Sequence, residues 1–330
     1  MIDQTNTITI KGIEKPVSRI ALGTWAIGGW MWGGADDQNA IKTIHAALEH
    51  GINLIDTAPV YGFGHSEEVV GKALEGRREK VVIATKVALN WTEDHKPYRD
   101  SSAARIRKEI EDSLKRLKTD YIDLYQIHWP DEKTPIEETA AEMEKLRKEG
   151  KIRTIGVSNF NTHQMDTFRQ AAQLSTLQPP YNLFEREIEK DILPYAKQNQ
   201  LVALCYGAIC RGLLSGRMTV DRHFDGDDLR KKDPKFQPPH FARYLKAVED
   251  LSQLAKERHN KSVLALAIRW ILDQGPTIAL WGARKPEQIL GIDDAYGWTL
   301  SPQDLKDIDT ILTKNIPEPI GPEFMAPPSR

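Results

Sequence analysis

Four residues, Asp56, Tyr61, Lys86 and His128, carry the side chains that proton transfer to a carbonyl oxygen requires. A free phenol, with a pKa of roughly 10, is too weak an acid at neutral pH, and a lysine ammonium beside it favours the phenolate and brings that value down. Asp56 would hold Lys86 charged and oriented. His128, if neutral, can donate a second hydrogen bond to the same oxygen and orient a substrate. Lys86 is also the one evident nucleophile of the set, so the same residues admit a lyase that works through a lysine Schiff base.

These groups can act together only if the fold converges on them. Short β-rich runs alternate with helix-patterned segments over nearly the whole chain, and the predicted strands are 20–24, 53–57, 81–86, 123–128, 152–158, 177–179, 201–206 and 277–281. Each is followed by a helical candidate, which is the pattern of parallel βα units. Ile106, Ile110, Leu114 and Leu117 share one helical face, as do Ile136, Ala140, Met143 and Leu146. Thr134-Pro135 with Glu137, and Ser301-Pro302 with Asp304, read as capped helix starts, and Gly150 reads as a helix stop.

Parallel units of this kind close into a barrel or open into a doubly wound sheet. The glycine fingerprint of the open sheet is missing: Gly62 and Gly64 are followed by Glu67 instead of a third glycine, and they follow the second strand. The pattern therefore predicts an α/β fold, a (β/α)8 TIM barrel forming one domain over residues 1–330. Extra helices and long loops are expected at its C-terminal face, with 207–240 the long irregular loop and 316–330 a proline-rich tail. In such barrels the active site lies at the C-terminal ends of the strands. The predicted strands end in Asp56 (with Tyr61 in its loop), Lys86, His128, Ser158 and Asn159, Gln178, and Tyr206. Ionisable groups ending three consecutive strands point to a site rather than to scattered caps.

Composition removes other classes. Lys and Arg number 45 against 47 Asp and Glu, so there is no basic excess to neutralise a nucleic acid or a membrane surface. No basic-then-apolar leader opens the sequence, and no apolar run reaches the roughly 18 residues of a membrane span. The reading is a cytoplasmic protein. Cys205 and Cys210 are too few for a disulfide framework, and no cluster has metal-ligand spacing.

The ordered segments Asn53-Leu-Ile-Asp-Thr-Ala-Pro-Val-Tyr-Gly62, Thr85-Lys86, Asp120-Tyr-Ile-Asp-Leu-Tyr-Gln-Ile-His-Trp-Pro-Asp131, Gly150-Lys-Ile-Arg-Thr-Ile-Gly-Val-Ser-Asn-Phe160 and Gly282-Ala-Arg-Lys-Pro-Glu-Gln288 resemble the aldo-keto reductases. The opening Gly23-Thr-Trp-Ala-Ile-Gly-Gly-Trp30 and the tail Gly321-Pro-Glu-Phe-Met-Ala-Pro-Pro328 are most similar to a bacterial subgroup that includes general stress proteins. The resemblance implies an NADP(H)-dependent oxidoreductase, an alcohol dehydrogenase in the reverse direction, with Asp56, Tyr61, Lys86 and His128 as catalytic tetrad and Tyr61 as proton donor. It places the nicotinamide carboxamide at Ser158, Asn159 and Gln178, with Tyr206 stacked on the ring, residue types that also suit the task unaided.

The same resemblance assigns Gly23, Thr24, Trp25, Gly207, Ala208, Arg211, Leu213 and Ser215 to the cofactor, although Gly207 and Ala208 replace the usual Ser-Pro. Gly282, Arg284 and Gln288 would take the far end, at an expected helix start. Arg284 with Lys285 supplies charge for a 2′-phosphate, so NADPH is preferred, with NAD possible. Gly291 and Ile292 stand where relatives carry an acid and an asparagine for the adenosine, which passes that role to Asp293 or Asp294. Trp25, Trp30, Trp32, Trp91 and Trp129 are expected to wall a pocket for a small carbonyl or alcohol. A third reading is a nicotinamide-binding redox sensor with little turnover.

Overall fold

The structure, a computed structural model, describes residues 6–328. Strands β1 (Thr7–Ile8) and β2 (Val17–Ser18) pair antiparallel below the barrel. The barrel strands are β3 (Ile20–Gly23), β4 (Leu54–Asp56), β5 (Val82–Val87), β8 (Ile122–Ile127), β9 (Ile152–Ser158), β10 (Thr176–Gln178), β11 (Val202–Cys205) and β12 (Thr277–Gly282). A hairpin of β6 (Leu89–Trp91) and β7 (Pro97–Arg99) interrupts the connection after β5. The eight barrel strands are all parallel and close in chain order, β12 pairing β3. Helices α1 (Asp37–Glu49), α2 (His65–Ala73), α3 (Ala103–Leu117), α4 (Ile136–Lys148), α5 (Thr162–Arg169) and α6 (Ile192–Gln198) follow the first six strands in turn. Two helices, α7 (His240–His259) and α8 (Val263–Leu272), follow the seventh, and α9 (Pro302–Asn315) follows the eighth. The predicted (β/α)8 barrel is what forms, with strand ends within a residue or so of those read from the sequence.

The helices form where the apolar spacing put them. In α3, Ile106, Ile110 and Leu117 are buried on one face, Ser102 accepts the Arg105 N–H at the start, and Lys118 closes the helix in a left-handed conformation. Ser301 makes its capping box with Asp304 at α9. Thr134 does not cap α4: Pro135 occupies the cap position, and the Thr134 hydroxyl donates to Asp131 Oδ2 at 2.8 Å. That charged acceptor, in the loop after β8, engages the hydroxyl, which takes no N–H of the helix.

Inside the barrel, side chains alternate inward and outward along each strand. The inward set Ala21, Leu54, Val82, Ala84, Leu124, Leu204, Ile278 and Leu280 forms an apolar plug, closed from below by Ile10, Ile13 and Val17 near the β1–β2 pair. Two residues further on, the inward positions become polar. Asp56 follows Leu54, Lys86 follows Ala84, and Gln126 follows Leu124, all buried at the upper end of the barrel. The layer that carries chemistry thus rests on a packed hydrophobic floor.

The loop that carries Tyr61 is held by a backbone contact without side chains. Gly62 has φ +69, and a Cβ there would lie 2.2 Å from the Gly28 carbonyl oxygen, while one on Gly28 would lie 2.5 Å from the Tyr61 carbonyl oxygen. Replacing Gly62 by alanine forces both a left-handed conformation and a clash with main chain that cannot rotate aside. Gly62→Ala is expected to lower stability by about 1–3 kcal/mol, read as a reduced urea midpoint with an unchanged slope.

Candidate active site

Lys86 is fully buried, and its ammonium reaches three acceptors: Asp56 Oδ2 at 2.7 Å, the Thr57 carbonyl at 2.9 Å and the Tyr61 hydroxyl at 3.3 Å. An ammonium has three N–H groups, so this arrangement satisfies it completely. Asp56 ends β4, Lys86 lies near the end of β5, and His128 follows β8 directly, its backbone N–H given to Val87 O at 2.8 Å. The His128 ring stands edge-on to Tyr61 with centroids 5.8 Å apart, and Trp25 stacks on Tyr61 at 6.0 Å. The four predicted catalytic residues therefore meet at one rim of the barrel.

Their electrostatics differ from expectation at one point. Lys86 was expected to pull the Tyr61 phenol down, yet the Tyr61 pKa lies well above its usual value. Burial is the main cause and the Asp56 charge the second, both of which disfavour the phenolate. Burial also lowers the Lys86 pKa, opposed by Asp56. His128 is driven well below 6.5, first by burial and then by the Lys86 charge, so its ring is neutral at neutral pH. Tyr61 is accordingly a protonated hydroxyl beside a cation, with a neutral imidazole across from it.

Asp56, Tyr61 and His128 line a cleft of about 450 Å³ that also contains Ser158, Asn159, Gln178 and Tyr206, while the buried Lys86 does not reach its surface. Asn159, at φ +61, donates from Nδ2 to the His128 carbonyl and to Ser158 Oγ, both at 3.0 Å, and accepts from the Tyr206 hydroxyl at 3.0 Å. Gln178 gives its amide nitrogen to Asp56 Oδ1 at 2.8 Å. Gly23, Thr24, Trp25, Gly207, Ala208, Arg211, Gly282, Arg284 and Gln288 also line this cleft, as do Trp30, Trp32 and Trp129.

Four predicted residues lie elsewhere. Leu213 is buried in the hydrophobic core, and Ser215 donates its hydroxyl to Gly212 O at 2.6 Å. Asp294 is exposed and 3.1 Å from Lys261, because the turn Ile292–Ala295 buries Ile292 and Ala295 and turns the acid to solvent. Asp293 likewise pairs with His50 at 2.9 Å. Trp91 sits on the hairpin and packs on Phe63 at 5.6 Å rather than on the cleft. The expected helix start after β12 is a single 3-10 turn, Pro286–Gln288, in which Gln288 Oε1 takes the Arg284 and Lys285 N–H groups at 2.8 and 3.1 Å. Those two amides are consumed locally, which leaves charge to the Arg284 and Lys285 side chains, with Arg284 Nη1 donating to Trp32 O at 2.7 Å.

Sequence reasoning missed three contributors. Arg222 and Arg230 line the cleft from the long loop. That loop is fastened across the mouth: Asp227 accepts from the Met31 and Gly33 amides at 2.7 and 3.0 Å, Leu229 N–H donates to Met31 O at 2.9 Å, and the Arg230 guanidinium lies 5.2 Å from the Trp32 ring. Phe324 to Pro328 line it from the tail, anchored where Lys235 and Arg99 donate to the Gly321 and Pro327 carbonyls at 3.0 and 2.9 Å. Phe324 and Met325 in a proline-rich end were the available signal. Among the described residues no group of three His, Cys, Asp or Glu could hold a metal, and no helix is long and apolar enough to cross a membrane.

Comparison with known proteins agrees with this geometry. Residues 19–313 match the Aldo/keto reductase family. The chain is 61% identical to aldo-keto reductase YhdN of Bacillus subtilis over 98% of each chain, and 39% identical to an NADH-specific methylglyoxal reductase of Escherichia coli over 83% of this chain and 88% of that one. Among solved structures, a glycerol dehydrogenase, AKR11B4, from Gluconobacter oxydans superposes with a TM-score of 0.89 at 61% identity, covering 97% of this chain and 99% of that one. A Klebsiella pneumoniae aldo/keto reductase in complex with NADP and acetate gives 0.72 at 31% identity, over 93% and 95%. The chain belongs to the aldo/keto reductase family, oxidoreductases of aldehydes and ketones.

Proposed function

We propose that this protein reduces small aldehydes or ketones to alcohols, and runs the reverse reaction, with NADP(H) and with Tyr61 as the proton donor. The observation that carries the reading is the buried chain Asp56, Lys86, Tyr61 opening onto an aromatic cleft. The residues present fit a nicotinamide dinucleotide. Ser158, Asn159 and the amide oxygen of Gln178 suit a carboxamide, Tyr206 offers a flat face, and Arg222 and Arg284 bring positive charge to the same cleft, the Arg230 charge being met by Asp228. The indole nitrogens of Trp25 and Trp32, both on the cleft, are buried without a hydrogen-bond partner. The cofactor, when bound, supplies hydride to the carbonyl carbon.

The chain's own part is proton delivery and electrostatics. Tyr61 and the neutral His128 ring both face the position of the substrate oxygen, one giving the proton and the other a hydrogen bond. Its raised pKa keeps Tyr61 protonated, so the proton is held ready for the oxygen that develops in reduction. Lys86 stabilises the phenolate left behind, and Asp56 keeps Lys86 in place. The long loop, joined to the Trp30–Gly34 segment, acts as a clasp over the cofactor. Trp25, Trp30 and Trp129 favour a small carbonyl group. A Schiff-base lyase is disfavoured because Lys86 is fully buried, bonded to Asp56, Thr57 and Tyr61, and does not line the cleft.

Tyr61→Phe is expected to lower kcat for carbonyl reduction at least ~100-fold while NADPH affinity, read by quenching of tryptophan fluorescence, stays the same; full activity would reject Tyr61 as the donor. Arg284→Ala is expected to weaken NADPH far more than NADH, and equal loss for both would reject contact with a 2′-phosphate. For His128, folding blocks protonation, so its stabilising effect is complete above 6.5 and is lost as the pH falls, when the unfolded chain takes up a proton the folded one refuses. His128→Gln should therefore lose less stability than the parent in urea titrations carried downward from about pH 6.5.

A further inference from the structure

Gln126 has no role in the reading above, yet it sits inside the barrel beside the tetrad. It is the inward residue between Leu124 and His128, fully buried, on the strand that pairs with β5 in a register that sets Gln126 against Lys86. Its amide nitrogen is 3.3 Å from Asp56 Oδ1, and its amide oxygen accepts from Gln178 Nε2 at 3.4 Å. Gln178 in turn donates to the same Asp56 oxygen at 2.8 Å. Asp56 thus has one oxygen held by Lys86 and the other held by two amides that also hold each other. The three residues come from β4, β8 and β10, alternate strands of the barrel, which is how one inward layer of such a barrel is built.

The neighbouring strand makes room for this arrangement. Gly156 in β9 is paired with Gln126, and a Cβ there would lie 2.9 Å from Gln126 Cγ and 2.3 Å from Thr176 Oγ1. A buried carboxylate needs its remaining lone pairs satisfied, and the ring of amides does this without adding charge. An apolar residue at this position would have continued the plug below. A polar one costs desolvation unless it is bonded, and here its bonds go to Asp56 and to Gln178.

We propose that Gln126 is a positioning residue that, together with Gln178, fixes the Asp56 carboxylate so that it holds the Lys86 ammonium against Tyr61. The inference rests on the proposed roles of the tetrad. Loss of the Gln126 bond loosens Asp56. The groups facing Lys86 are Asp56, Tyr61 and His128, with Glu67 on α2 acting at longer range. Asp56 is the main charge opposing the effect of burial on Lys86, so a displaced Asp56 lets the ammonium lose its proton at lower pH.

The test uses the full chain with Gln126→Met, which conserves volume, and Gln126→Asn, which keeps the amide but shortens its reach, alongside Asp56→Asn. Both Gln126 variants are expected to lower kcat about 10-fold, equivalent to one weakened charge-assisted hydrogen bond, and to move the basic limb of the kcat profile to lower pH, with the Kd for NADPH unchanged. Retained NADPH binding reports that each variant is folded. If Asp56→Asn abolishes reduction while both Gln126 variants keep the parental kcat and basic limb, the Gln126 assignment is wrong and the tetrad stands. A fall in kcat with an unmoved basic limb would also overturn it, as simple damage to packing. Full activity in Asp56→Asn would overturn the tetrad and the Gln126 role together.

Discussion

An ammonium buried in a barrel is tolerable only if its charge and all its donors are met, and the upper half of this molecule is organised around meeting them for Lys86. Its three acceptors come from β4 and the loop after it: a carboxylate, a main-chain carbonyl and a phenol. The Thr57 carbonyl belongs to the first residue past the end of β4, whose N–H still bonds Ala84 O at 2.9 Å. The phenol arrives because Gly28 and Gly62 let two backbones touch. Breaking such a pair by removing one partner costs far more than the pair's net contribution to stability, roughly 3–5 kcal/mol for a buried one. Lys86 and Asp56 therefore constrain each other before any substrate is considered.

That constraint also explains the vertical division of the barrel. Below, Leu54, Val82, Ala84 and Leu124 fill the interior as any packed core does. Above, the same strands present Asp56, Lys86 and Gln126, with Asp56 bonded to both of the others. The apolar plug makes the polar layer rigid, and the polar layer gives the plug a lid that is chemically active.

Much of this was legible from the chain. The alternation of β-rich and helical segments located all eight barrel strands, and the residues at their C-terminal ends named Asp56, Lys86, His128, Ser158, Gln178 and Tyr206 because strand ends converge in such a barrel. What stayed hidden involved contacts between segments without periodic pattern. The β1–β2 pair and the β6–β7 hairpin are two or three residues per strand, too short for alternation to register. Arg222, Arg230 and the tail reach the cleft through irregular chain. Gln126 was visible in principle, as a polar residue at an inward position two before His128, but only once the inward parity of that strand was known. The sign of the Tyr61 shift depended on burial, which residue types alone do not report.

The fastening of the long loop has a different character from the interior it covers. Its bonds from the Met31 and Gly33 amides to Asp227 lie at the solvent boundary, where each is exchanged for water at little net expense. The ring of Lys86, Asp56 and the two amides has no such exchange partner. The loop's base is pinned by buried pairs, Arg211 with Asp233 and Lys235 with Glu185, so low-energy opening is confined to its exposed stretch up to Asp227, while the reactive groups beneath keep their alignment. Entry and exit are in this way uncoupled from the geometry of the chemical step.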